Sequence, residues 1–245
     1  VGVDVVMTFF CLLAALFGLK ALHHPSSCNL IWTSLAAGLA ISSKYNALPI
    51  AIVPIIAAIR FPASKTKQAL TAIGCIAAGF VIGTPYLFSH LNLFLDQFAY
   101  EIWHYGIAGH EGHTGEPGIG QAKFFLAWLG SEGLSYPLLI LSILGLGALA
   151  SKSEKGPRLL IAFPLLYFLL MSDQRANFTR NIYVLIPFLA VFASVGLNWV
   201  IRNSTSKLLF WGPFVLLLIS PLLQAFDVRA GAKNIVESRL DAETW

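Results

Sequence analysis

Apolar residues in this chain fall into long runs separated by short polar connections, not into the alternation of strands. Residues 5–22 form a first run, closed by Lys20, His23, His24 and Pro25. Runs 29–42 and 47–59 follow, on either side of Ser43-Lys44-Tyr45-Asn46, and Lys44 is the only formal charge from residue 30 to residue 59. As helices these two runs are each about 20 Å long, against a hydrocarbon core of roughly 30 Å. Together they are too long for one comfortable span and too short for two full ones. Pro49 and Pro54 weaken helix continuity further. The pattern predicts two short helices meeting at a polar notch, with irregular backbone tolerated because it lines a cavity.

The rest of the chain continues in the same way. A basic loop with Arg60, Lys65 and Lys67 leads to a span over 68–89, on which Gly74, Gly79 and Gly83 read as close-packing points. Residues 91–105 differ: Leu91, Phe94, Leu95, Phe98, Ile102 and Tyr105 recur at helical spacing among Asn92, Asp96, Gln97, Glu101 and His104. That predicts an amphipathic helix on the membrane surface. A Gly-, His- and Glu-rich loop spans 106–120. Residues 124–129 are apolar but short, 134–150 form a span, and 159–171 are short again. A polar loop at 172–180 precedes the last two spans, 181–200 and 208–226, and a polar tail, 227–245.

Composition turns this pattern into a class. Apolar residues are 57% of the chain and charged ones 11%, with mean hydropathy +0.73. A soluble domain carries about 25% charged residues. The expectation is an all-α integral membrane protein, a polytopic bundle of about eight short or full spans. It comprises a transmembrane domain over 1–226 and a polar outer-face tail over 227–245. The net charge of +4 is scattered between apolar segments and so gives no nucleic-acid signal. Cys11, Cys28 and Cys75 lack metal-ligand spacing and read as packing residues. The opening Val1-Gly2-Val3-Asp4 has no basic stretch of a signal peptide, and both ends read as truncations of a longer protein.

Charge then sets a topology. With Asp4 outside, the inner connections hold Lys20, Arg60, Lys65, Lys67, Lys152, Lys155, Arg158, Arg202 and Lys207, with Glu154 as their only acid. If residues 30–59 were one tilted span, Asp4 would become cytoplasmic and only Lys20 would change sides. From Arg60 onward the assignment is the same either way, and ionisable, helix-breaking sequence collects on the outer face. That asymmetry suits a membrane enzyme or receptor-like site better than a channel.

Four places carry candidate chemistry. Asp4, at the head of the first span, offers a carboxylate for a metal, an acceptor or a cation-bridged phosphate; the alternative is an acid favoured by the helix dipole. Lys44 and Tyr45 offer a point charge and a phenol to a phosphate; the alternative is a snorkelling lysine. His104, His110, Glu111 and His113 lack the HExxH spacing and sit among glycines. They suit a substrate-facing loop, or a zinc site made by the three histidines. Arg175 and Arg180 bracket Asn177-Phe178-Thr179 before the span with Tyr183, where arginine can clamp a lipid phosphate or anchor at the interface.

Taken in order, several segments resemble one family. They are an Asp heading a span, Gly38-Leu39-Ala40 followed by Lys44-Tyr45, Gly83-Thr84-Pro85-Tyr86, His104-Tyr105 with Gly109-His110, and Arg180-Asn181-Ile182-Tyr183 with Pro187. The set resembles bacterial lipid-carrier-dependent glycosyltransferases of the GT-C fold, related to protein mannosyltransferases and lipid A aminoarabinose transferases. The resemblance implies an inverting transfer of a sugar from a polyprenyl phosphate to a lipid, glycan or protein acceptor. It places the active face on the periplasmic side of a bacterial inner membrane. It implies that Asp4 is a second acidic site residue, with the main base expected upstream of this sequence. Lys44 and Arg180 match positions near the carrier phosphate, and Tyr45, His104, His110, Glu111, His113, Arg175 and Tyr183 are the further candidate substrate contacts. No cofactor is assigned, and a divalent metal is left open. The competing expectation is a secondary transporter with a broken-helix substrate site at Lys44.

Overall fold

The computed structural model describes residues 2–61, 64–152 and 155–203, with positions 212, 215 and 219. The expected span 208–226 and tail 227–245 therefore lie outside the described residues, apart from those three positions. Among the described residues the chain is nearly all helical, and an isolated bridge joins Thr114 to Ala176. Among the described residues, three helices are long and apolar enough to cross a membrane: Gly2–His23, Lys65–Gly83 and Leu185–Asn203.

Helix α1 (Gly2–His23) turns its small residues inward. Met7, Cys11, Ala14, Ala15, Gly18 and Ala21 are buried, while Val5, Phe9 and Leu16 face out. Large apolar side chains outside and small ones inside is the arrangement suited to helices packed together within lipid. Pro25 separates α1 from α2 (Ser27–Ser43), and the Ser26 hydroxyl caps α2 by accepting from the Asn29 backbone N–H at 3.2 Å.

At Lys44 the helix stops. Its backbone is extended, with φ −161° and ψ 125°, and a 3₁₀ stretch (Tyr45–Ala51) containing Pro49 leads into α3 (Ile52–Ile59). The expected break is therefore present, and it reverses the chain. Lys44 lies beside Asp4 at the start of α1, whereas Phe61 clusters with Ala21, Leu30 and Ala57 at the other end. Helix α2 and the 3₁₀–α3 segment each run roughly 25 Å, by the rises per residue of the two helix types.

Helix α4 (Lys65–Gly83) packs closely on α2, with Gly79 against Gly38 and Leu35. It is shorter than the span expected over 68–89. Thr84 precedes Pro85, which disfavours helical backbone at Thr84, and residues 85–90 form turns. Of the three glycines expected to be packing points, Gly79 and Gly83 meet α2, while Gly74 faces open space. Helix α5 (Leu91–Trp103) carries the expected amphipathic pattern, but none of its residues is buried. Phe94 and Phe98 meet the Tyr45 ring edge-on, and Phe94 also meets Phe80 of α4. A π turn (His104–Ala108) follows, and α6 (Ile119–Trp128) begins earlier than the apolar residues 124–129 suggested.

The chain divides into two compact units, Val1–Leu126 with Leu149–Phe188, and Ala127–Ala148 with Leu189–Trp245. The first holds α1–α5, nearly all of α6, and α8 (Lys155–Ser172), whose Phe163, Tyr167 and Met171 are buried. In the second, α7 (Tyr136–Ala150) packs on α9 (Leu185–Asn203). There the Ser142 hydroxyl donates to the Leu189 carbonyl at 2.8 Å, and Gly145 and Gly196 allow close approach. Helix α9 starts later than expected because a 3₁₀ turn, Thr179–Ile182, precedes it.

Candidate functional site

The site lies in the first unit, at the end of α1 where Asp4 sits. Asp4 is the only charged residue in the apolar first turns of α1, and its side chain is 3% exposed. The Lys44 ammonium, 17% exposed, donates to Asp4 Oδ1 at 2.7 Å. It also donates to Asn181 Oδ1 at 2.7 Å. Three segments thus meet at one ammonium: the head of α1, the break after α2, and the 3₁₀ turn before α9. Lys44 is positioned for this because the extended backbone swings its side chain out of the helical path of α2.

Asn181 is fully buried. Its carbonyl accepts from the buried Tyr167 hydroxyl of α8 at 2.5 Å, and its backbone N–H donates to Phe178 at 3.0 Å. The Lys44 ammonium has three N–H donors, of which two are used here. Beside the pair, the Asn46 amide reaches the Met171 sulfur at 3.7 Å.

A second cluster forms where two loops dock. The Arg175 N–H donates to the Tyr105 carbonyl at 2.8 Å, Gly115 N–H to Arg175 at 2.8 Å, and Gly118 N–H to Ser172 at 2.7 Å. Asn177 N–H donates to His113 at 3.0 Å, and the buried Gln121 side chain donates to the Ala176 carbonyl at 3.1 Å. Gly109, with φ 75°, lets the chain turn tightly, and the Thr114 hydroxyl then donates to His110 at 2.7 Å. This scaffold gathers rings around Phe178, with His110 at 5.0 Å and His113 at 4.9 Å between centroids. The Arg180 guanidinium lies over the Phe178 ring at 4.7 Å, a cation–π contact. His104 stacks on Tyr100 and lies 5.2 Å from His110.

An open cavity of ≈ 490 Å³ lies here, lined by His113, Phe124, Asn177, Phe178, Thr179 and Arg180 among others. Asn177 Oδ1 is buried and has no hydrogen-bond partner among the described residues. Tyr105 links the two clusters. Burial and the Glu101 carboxylate push its phenol above the usual tyrosine range, while Arg180 and Asn181 pull it back.

The candidates separate accordingly. Asp4 and Lys44 come together directly. His104, His110, His113 and Arg180 share the second cluster. Tyr45 packs against Phe94 and Phe98, on the α5 side. Arg175 contributes its backbone, its side chain being exposed, and Glu111 is exposed in the loop. Tyr183 is 37% exposed just after the 3₁₀ turn. The three histidines lie near one another, but among the described residues no group of His, Cys, Asp or Glu is arranged to hold a metal ion. Asn181 and Phe178 were not candidates. Asn181 left one signal, a lone amide between Arg180 and an apolar run.

Comparison of the chain with protein-family models, with curated proteins and with solved structures found no match.

Proposed function

We propose that the chain is part of a membrane glycosyltransferase that moves a sugar from a polyprenyl-phosphate carrier to an acceptor hydroxyl. The observation that carries this reading is the meeting of Asp4, Lys44 and Asn181 at one end of otherwise apolar helices. Arg180, next in the chain, has no carboxylate partner among the described residues. An ion pair and an exposed guanidinium beside an aromatic-lined cavity suit a phosphate at the bilayer boundary. In the transfer, the acceptor oxygen attacks the anomeric carbon with inversion and gives up its proton to a base. The bond from that carbon to the phosphate oxygen breaks, and its electron pair leaves with the carrier phosphate. Arg180 and the free N–H of Lys44 offset the charge that develops there. Asp4 holds Lys44 in place, its Oδ1 being committed to the ammonium at 2.7 Å. The histidine loop faces the sugar and the acceptor. The topology that goes with this reading is about eight spans in a bacterial inner membrane, active face periplasmic.

The test is transfer of radiolabel from a polyprenyl-phosphate-linked sugar by the purified protein, carrying its complete native sequence, in lipid nanodiscs. Arg180→Ala is expected to lower kcat/KM by about 100-fold, the scale of losing one transition-state charge contact. Unchanged transfer in that variant would sink the reading. A transporter is the second reading, favoured by the same charged pair at a helix break. It expects uptake of a free solute into sealed proteoliposomes that contain no lipid-linked sugar.

A further inference from the structure

The loop over residues 106–118 is docked without a hydrophobic anchor. From residue 106 to residue 120 Gly109 alone is buried, so no side chain there adds apolar burial. What holds the loop to residues 172–177 is a seam of backbone hydrogen bonds, donated by Gly115 and Gly118 from the loop and by Arg175, Ala176 and Asn177 from the facing segment. Buried oxygens in the same seam, Gln121 Oε1, Ser172 Oγ and Asn177 Oδ1, have no hydrogen-bond partner among the described residues. Gln121 Oε1 lies where a side chain at Gly115 would begin, and Ser172 and Asn177 are the residues whose backbones bond Gly118 and His113. Each oxygen forgoes a hydrogen bond while the seam is closed and regains one from water when it parts. Docking by hydrogen bonds alone, offset by unsatisfied acceptors, makes a segment of low local stability. The ends of the loop can swivel: Gly118 has φ 80°, and nothing lies within 4 Å of a side chain built at Gly106. The loop is also part of the ≈ 490 Å³ cavity, which Gly112 and His113 line together with Phe124 and residues 177–180.

We propose that residues 106–118 are a lid that parts from residues 172–177 as one unit and takes the Gly112–His113 wall of the cavity with it. Phe178 and Arg180 stay behind, next to the 3₁₀ turn that Tyr167 anchors through the Asn181 carbonyl. The cavity is then complete only while the lid is docked, and what binds against Arg180 enters and leaves as it opens. The opening rests on the packing alone, whereas its place in turnover rests on the glycosyltransferase reading.

Hydrogen–deuterium exchange of the complete native protein in lipid nanodiscs reads the opening. The amides of Gly115 and Gly118 on one side, and of Arg175 and Asn177 on the other, are expected to share one protection factor, at least about 100-fold below that of the α8 amides. Protection equal to that of α8, or different on the two sides of the seam, would overturn the lid.

The seam also offers a lock. Thr114 and Ala176 are antiparallel partners flanked by the Gly115–Arg175 and Asn177–His113 hydrogen bonds. That is the closer kind of antiparallel pair, with Cα atoms about 4.5 Å apart, within the range a disulfide spans. With Cys11, Cys28 and Cys75 replaced by alanine, the oxidised Thr114→Cys/Ala176→Cys protein is expected to exchange across the seam at least about tenfold more slowly, and reduction should restore the rate. No slowing once the disulfide has formed would overturn the proposal. Where the pair does not fold or cross-link, the exchange pattern of the native protein decides alone.

Sugar transfer by the same protein separates the lid from the reaction it serves. A kcat at least about tenfold lower in the oxidised form, restored on reduction, supports opening as a step of turnover. Equal kcat in both forms removes that step. If the native protein transfers no sugar, the glycosyltransferase reading fails, while the exchange data still decide the opening.

Discussion

A carboxylate and an ammonium each lose several kcal/mol of solvation when taken out of water, and contact between them offsets this only when the geometry is good. Asp4 and Lys44 meet that condition, at 2.7 Å with an amide oxygen also on the ammonium. The pair is therefore balanced, not a net source of stability, and either member alone is a liability. Asp4→Leu and Lys44→Met, made singly, are each expected to destabilise the fold by about 3–5 kcal/mol. The double substitution removes both charges and should come within about 1 kcal/mol of the wild type, since apolar replacements of buried pairs are often neutral. Chemical denaturation in detergent micelles measures this. A double variant as unstable as the singles would mean that the charges are held by something other than each other. Transfer activity should vanish in the double variant all the same, which separates the pair's functional role from its structural one.

At the scale of helices, much of the architecture was legible, because hydropathy and helix breakers act locally. The break at Lys44 followed from a charge in an apolar run and two prolines, and the backbone there is extended. The small-residue packing of α4 was legible only in part. Gly79 and Gly83 are four residues apart and share the face toward α2. Gly74 lies five residues before Gly79, about 140° around the helix, and so faces away. This gives a matched pair of substitutions on one helix. A side chain at Gly79 would meet the Leu35 backbone and the Gly38 Cα, the latter 3.2 Å from its Cβ, whereas nothing lies within 4 Å at Gly74. Gly79→Leu should cost about 1–3 kcal/mol or more by overpacking, and Gly74→Leu should be neutral or slightly stabilising through helix propensity. Thermal melts of the two variants check this. Equal losses would mean that α2 and α4 do not rely on close approach.

At the scale of the whole molecule, what local pattern does not encode is which polar groups meet. The Lys44–Asn181 bond joins residues 137 apart in sequence, and the Asp4–Lys44 bond residues 40 apart. The docking of the 106–118 loop on 172–177 has no local signature, since it depends largely on backbone groups that every segment possesses, and Asn181 left only a lone amide beside an apolar run. What those long-range bonds do settle is direction within the first unit. Helix α1 has 22 residues, about 33 Å of rise, and its Asp4 end meets Lys44 and Asn181. Cys28, exposed at the start of α2, is therefore at the opposite end from Asp4, on the side of Lys20 and Arg60. Glu111 lies in the loop that docks beside Arg180, on the Asp4 side. If the basic connections are cytoplasmic, Glu111 faces out and Cys28 faces in. Native Cys28 then serves as an inner reporter and Glu111→Cys as an outer one, after replacement of Cys11 and Cys75 by alanine. In intact cells a membrane-impermeant maleimide should label the introduced cysteine and spare Cys28, which becomes reactive only when the membrane is permeabilised. Labelling of both from the same side would contradict the membrane crossing of α1, and the reverse order of labelling would invert the proposed topology.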